Sequence, residues 1–128
     1  MTKKLISLGA VFGALAVIFG AFGAHALKGI LSFDALQAYE TGVRYQIIHA
    51  LLLVILGFQS KIDVKLIGKL IVWGILFFSF SIYLLSFKDI LGWPALKYLG
   101  PITPIGGLLL LTSWVLLIFK STKLKQID

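Results

Sequence analysis

Four stretches of the chain run almost free of charge: Leu5 to Leu27, Tyr45 to Phe58, Ile71 to Phe87 and Ile102 to Phe119. Charges return in short bursts between them. A helix rises ~1.5 Å per residue, so about 20 apolar residues cross a bilayer's hydrocarbon layer. The first stretch meets this outright and the fourth nearly does. The third meets it once Leu66 to Leu70 is added and Lys69 snorkels to the headgroups. The second is short and contains His49. The residues ahead of it extend the pattern. Ser32 is a good N-cap, and Leu36, Tyr39, Val43 and Ile47 recur at helical spacing. Asp34, Gln37, Glu40, Thr41 and Arg44 fill the other positions. This predicts an amphipathic interfacial helix over Ser32 to Val43, a bend at Gly42, then a short or tilted span. The expected fold is all-α and integral to the membrane. Four transmembrane helices, about 5–27, 44–59, 66–87 and 102–120, form an antiparallel bundle, and residues 1–128 make a single domain.

Composition sharpens this picture. Of 128 residues, 59% are hydrophobic and 13% charged, whereas soluble domains carry roughly a quarter charged residues. Too few polar groups exist to cover a water-exposed surface, so lipid must cover it. Lys and Arg number twelve against five Asp and Glu. The basic residues flank apolar runs and line no polar face, which argues against nucleic acid and for anionic headgroups. With the N-terminus inside, Lys3, Lys4, Lys61, Lys65, Lys69, Lys120, Lys123 and Lys125 fall on the inner side. Lys28, Arg44, Lys88 and Lys97 fall outside, so both termini are expected in the cytoplasm. Trp93 and Tyr98 suit interfacial anchors in the outer loop. Cysteine is absent, which removes thiol nucleophiles, thiolate metal sites and disulfides. The N-terminus superficially resembles a signal peptide, and Ala24-His25-Ala26 has the small-x-small form of a cleavage site. The apolar run is longer than a signal peptide's and three more follow, so it is read as a retained first span.

The first span carries Gly9, Gly13, Ala16, Gly20 and Gly23 at alternating steps of four and three, which places them on one stripe. In lipid, small residues let helix backbones approach, so dispersion holds the pair. The preferred reading is packing inside the bundle; the sharper one is a homo-oligomer seam. Gly106 and Gly107, after Gly100-Pro101-Ile102-Thr103-Pro104, permit another close neighbour and are expected to fix how span four meets span one.

His25 lies two residues before the end of span one, and His49 lies about one turn into span two, so both are expected near the outer interface. Tyr45 shares the face of His49, while Arg44 and Gln46 point elsewhere. Ser79, Tyr83 and Ser86 form a polar stripe on span three towards the same end. The candidate ligand-binding set is His25, Tyr45, His49 and Tyr83. Its functional readings are a haem or metal site, a proton-transfer pair, or a pocket for a quinone or lipid headgroup. The preferred reading is hydrogen bonding between helices. A metal would want further ligands, and Asp34, Glu40 and Asp89 look solvated. No cofactor, metal site or catalytic residue is assigned. Trp73 and Trp114 read as packing or belt residues.

Three motifs, GAFGAHAL, ETGVRYQIIHALLL and LGPITPIGG, together resemble the YgdD/YwdK-like family across nearly the whole chain. These are small four-span inner-membrane proteins of unknown function, with mitochondrial relatives. The resemblance implies a bacterial cytoplasmic membrane location. It places His25, Arg44, Tyr45, Gln46, His49, Thr103 and Pro104 at motif positions, and it carries no reaction. The leading expectation is a non-enzymatic component, oligomeric or accessory to a larger membrane complex. Alternatives are a binder of quinone, lipid or haem at the outer-end cluster, and an oligomeric transporter or channel. An enzyme comes last, since histidine alone defines no reaction.

Overall fold

The computed structural model describes residues 2–124. Lys125 and the end of the basic tail lie outside them. The elements are α1 (Thr2–Ala24), α2 (Phe33–Phe58), α3 (Lys65–Ile75), a π-helical segment (Leu76–Phe80), α4 (Ser81–Ser86), α5 (Lys88–Leu91), a 3-10 segment (Pro94–Leu99) and α6 (Ile102–Ser121). From α3 to α4 the chain is continuously helical over Lys65–Ser86, here called span three. Four helices are thus long and apolar enough to cross a membrane, and no strand occurs among the described residues. The start of α1 and the end of α6 share one end of the bundle, the termini end, with the α2–α3 turn. The other end, the loop end, carries the α1–α2 and α4–α6 connections.

α1 packs along α2, α2 on span three, and span three on α6. α1 and α6 are the outer members, and α2 and span three carry the larger buried share. α1 meets span three mainly through long side chains, such as Phe12 and Phe19 edge-on to Phe80. Near the termini the core is aliphatic: Leu53, Ile67, Ile71 and Ile75 are fully buried. Near the loop end it turns aromatic, with Tyr39 and Tyr83 joined by Phe19, Phe80 and Phe87.

The predicted interfacial helix and the short span after it are one uninterrupted helix, α2. Ser32 does cap it, accepting a hydrogen bond from the Ala35 amide at 3.2 Å. The helix runs through Gly42 without interruption. This glycine lets Tyr83 approach, since a methyl at Gly42 would lie 2.8 Å from Tyr83 Cε1. The buried face of α2 is Tyr39, Gly42, Gln46, His49, Ala50 and Leu53, whereas Ile47 is exposed. The predicted face followed the apolar residues, as in water. In lipid, apolar side chains are at home outside, and small and polar residues turn inward to pack and bond.

The glycine stripe lies against α2. A methyl at Gly9 would sit 2.7 Å from the Ala50 carbonyl oxygen, and one at Gly23 would sit 2.9 Å from Tyr39 Cε1. Gly13 and Gly20 have more room, at 4.0 Å from Ala50 Cβ and 3.4 Å from Val43 Cγ1. Gly106 and Gly107 meet span three, not span one as expected. Gly106 abuts the backbone at Phe77 and Phe78, within the π segment, and Gly107 faces the Phe78 ring.

At the ends, Gln59 closes the α2–α3 turn by bonding both main-chain groups of Ile62 at 3.1 Å. Lys120 donates to the Asp63 carbonyl at 2.5 Å, tying α6 to that turn. Gly92, with φ of 57°, lets the chain reverse after α5. Trp93 and Tyr98 project from the loop end, both mostly exposed.

Candidate functional site

The polar chemistry of the bundle is organised around Gln46, whose side chain has no exposed surface. Its Nε2 donates to the Phe12 carbonyl of α1 at 2.8 Å. Its Oε1 accepts from the Tyr83 hydroxyl of α4 at 2.7 Å. One amide therefore joins three helices, using donor and acceptor at once. Two further bonds run alongside. Tyr39 donates to the Phe19 carbonyl at 2.8 Å, and Ser79 donates to the Gly42 carbonyl at 2.7 Å. In hydrocarbon an unpaired polar group costs several kcal/mol. Each partner chosen here is a carbonyl or amide already fixed by its helix.

A second cluster stands on the neighbouring face of α2. His49 Nε2 lies 3.0 Å from Trp114 Nε1, and Nδ1 lies 2.6 Å from the Tyr45 carbonyl. An indole N–H only donates, so Nε2 must be the acceptor. Nδ1 then carries the proton and donates to Tyr45. The pattern assigns a neutral imidazole in one tautomer, with both nitrogens engaged. The Tyr45 ring lies nearly parallel to His49 and packs on Phe78 at 4.7 Å. Both Tyr45 and Trp114 stay about two-fifths exposed on the lipid side.

The structure divides the candidate residues. Tyr45 and His49 stand together. Tyr83 stands on the adjoining face of α2, bonded to Gln46. His25 is exposed just beyond α1, while Gln46, one turn before His49, is level with Phe12. That separates the histidines by about 20 Å along the bundle axis, so they do not share the expected depth. A haem or metal bridging them has no geometric support. Among the described residues no cluster of three or more His, Cys, Asp or Glu side chains could hold a metal.

Three participants lie outside the candidate set. Gln46 points away from Tyr45 on the helical wheel, yet its position inside an uncharged run marks it as needing partners. Tyr39 reads as part of an apolar stripe. Trp114 reads as a packing or belt residue, and nothing local in the sequence links it to His49. The serines follow two patterns. Ser86 bonds back to the Ile82 carbonyl at 2.8 Å. Ser81 bonds back to Phe77 at 2.5 Å and also reaches Thr103 of α6 at 2.6 Å. No buried side-chain nitrogen or oxygen among the described residues lacks a partner.

Comparison with known proteins places this architecture. Residues 19–107 match the family model described as protein of unknown function (DUF423). The chain belongs to the DUF423 family. Relatives named as UPF0382 membrane proteins extend the similarity beyond those bounds. A UPF0382 membrane protein of Staphylococcus aureus strain bovine RF122 is 44% identical over 94% of this chain and 97% of its own. One from Staphylococcus haemolyticus is 42% identical over the same shares. The UPF0382 membrane protein YwdK of Bacillus subtilis is 40% identical over 94% of this chain and 98% of its own. The resemblance read from the three sequence motifs therefore holds. No solved structure matches the chain. This DUF423 member is a small polytopic membrane protein. Its matched region covers both polar clusters except Phe12 and Trp114.

Proposed function

We propose that the chain is a non-enzymatic structural subunit of the bacterial cytoplasmic membrane, pairing with a second copy or with a larger membrane complex. The observation that carries this reading is the outward face of α1. Ala10, Ala14, Ala21 and Ala24 recur at steps of four, seven and three, and all are exposed. They form a second small-residue stripe beside the glycine stripe, which α2 already occupies. A helix in lipid presents a small-residue face most usefully to another helix. In a two-fold pair the stripe would meet its own copy. The internal completeness of both polar clusters supports a scaffold over a catalyst. Catalysis would want a group held ready for substrate, and among the described residues each buried side-chain nitrogen or oxygen has a partner.

The topology proposed with it has both termini in the cytoplasm. Seven described lysines cluster towards the termini end, against Lys28, Arg44, Lys88 and Lys97 elsewhere. Purification from cells at native expression level, followed by mass determination in mild detergent, tests the assembly. The expected result is more than one copy or co-purifying subunits, reduced to a monomer by Ala14→Leu with Ala21→Leu. A lone monomer of the unaltered chain would sink it.

A second reading, binding of a hydrophobic molecule, is favoured by one feature. Tyr83 and Tyr39 line an apolar cleft of about 360 Å³ with Phe19, Phe80 and Phe87. Their hydroxyls are turned into the bonds above, so the cleft offers hydrocarbon contact only. Lipid mass spectrometry and a visible spectrum of purified protein test this reading. A colourless, lipid-free preparation removes it.

A further inference from the structure

A different cleft, of about 640 Å³, opens at the loop end between the start of α2, the end of α4 and the start of α6. Its lining is layered. Asp34, Lys88 and Asp89 bring charge, while Ala38, Ile82 and Leu85 bring an apolar wall. The hydroxyls at its edge each hold a bond within the fold. Ser32 caps α2, Ser86 bonds to Ile82, and Thr103 bonds to Ser81. The charge-assisted contacts, the stronger ones, fall to the three charged groups, all exposed.

Their signs define the occupant. Lys88 calls for an anionic oxygen, and Asp34 and Asp89 call for a cation with N–H donors. A purely anionic head would face two carboxylates. A quaternary ammonium would offer them no hydrogen bond. The cleft lies at the bundle end, where Trp93 and Tyr98 suit the headgroup layer, and its wall of Ala38, Ile82 and Leu85 is apolar. A soluble zwitterion would leave that wall uncovered.

We infer that this cleft binds a lipid with a phosphoethanolamine head. Phosphate meets Lys88, the primary ammonium meets Asp34 and Asp89, and the upper acyl chain lies on Ile82 and Leu85. The inference stands apart from the assembly proposed above, because the α1 alanine face takes no part in it.

The test is native mass spectrometry of the full chain. Protein stripped in detergent is offered equal phosphatidylethanolamine, phosphatidylcholine and phosphatidylglycerol. Phosphatidylethanolamine is expected to be retained about tenfold over each competitor, the scale of one charge-assisted contact. Asp89→Asn should lower it to the phosphatidylcholine level, whereas Lys88→Gln, which removes the contact to the phosphate all three lipids share, should lower retention of every lipid about tenfold, both with helix content unchanged. Asp34→Asn should act as Asp89→Asn does, but it lies in the first turn of α2 and can disturb that end. The Asp89 and Lys88 variants keep the result readable if it does. Equal retention of all three lipids, meaning an annular shell only, overturns the inference. So does a preference for phosphatidylglycerol, which would mean a plain basic patch.

Discussion

The two helical hairpins solve the same problem in different ways. In the first, α1 meets α2 through small residues spread over most of its length, from Gly9 to Gly23. In the second, span three meets α6 tightly at two glycines, one on each helix, with Gly107 at ordinary contact distance from the Phe78 ring. A methyl at Gly74 would lie 2.5 Å from Leu110 Cδ2, and Gly106 presses on main chain at Phe77 and Phe78. The spread seam has loose points, and the concentrated one has little slack. What a glycine faces matters more than how many there are. A side-chain tip can rotate aside, whereas helical backbone cannot yield without losing its own hydrogen bonds.

The largest expected effect follows from that difference. Gly106→Ala places a methyl against backbone in the π segment, where the ladder is already locally rewound. It should destabilise the bundle by about 3 kcal/mol or more, at the upper end for overpacking. Thermal unfolding in detergent would read this directly. An unchanged melting temperature would break the contrast between the hairpins. Gly9→Ala should come next, at about 1–3 kcal/mol. Its methyl would meet the Ala50 carbonyl oxygen and Val54 Cγ2, both at 2.7 Å; Val54 can change rotamer, and the nearest main-chain atom is farther away than at Gly106, so less backbone has to shift. A cost exceeding that of Gly106→Ala would invert the ranking.

How much of this was legible follows the same line. The α1 stripe could be read because its members repeat on one helix at one period. The four spans could be read because hydropathy reports the solvent directly. Gly106 was visible as a packing residue, but its partner was not. That partner is a π segment, Leu-Phe-Phe-Ser-Phe, whose residues carry no local signature of rewinding. The continuity of α2 was missed because polar residues over its first turns suggested a separate interfacial piece. Gln46 and the bond between His49 and Trp114 join residues far apart in sequence, and no periodicity encodes such pairs. The alanine face went unread because it adjoins the glycines, and only burial separates the two.

Between the hairpins the contact is chemical as well as steric, and Gln46 tests its weight. Gln46→Leu keeps bulk but strands the Phe12 carbonyl's extra bond and the Tyr83 hydroxyl. The expected loss is about 1–2 kcal/mol, since interhelical bonds in membranes are individually modest. Tyr83→Phe added to Gln46→Leu should cost little more, because the hydroxyl has already lost its acceptor. A double-mutant cycle measured by unfolding would show this coupling. Strict additivity would mean that the two side chains act independently, and that the hairpins are joined by shape alone.

The smallest effect is expected at Gly13, and it discriminates most finely. The nearest atom to a methyl there is Ala50 Cβ at 4.0 Å, an ordinary van der Waals separation. Nothing must move to admit it. Alanine also has the better helix propensity, by roughly 0.8–1 kcal/mol over glycine in water. Gly13→Ala should therefore leave stability unchanged or raise it by at most about 1 kcal/mol, although Gly13 sits on the same stripe as Gly9. The measurement is the difference in unfolding midpoint between the Gly9 and Gly13 alanine variants under one detergent condition. If both fall equally, the seam is uniformly tight and its slack is illusory. If only Gly9 falls, the α1–α2 contact is held at separated points, with room left between them for the helices to adjust.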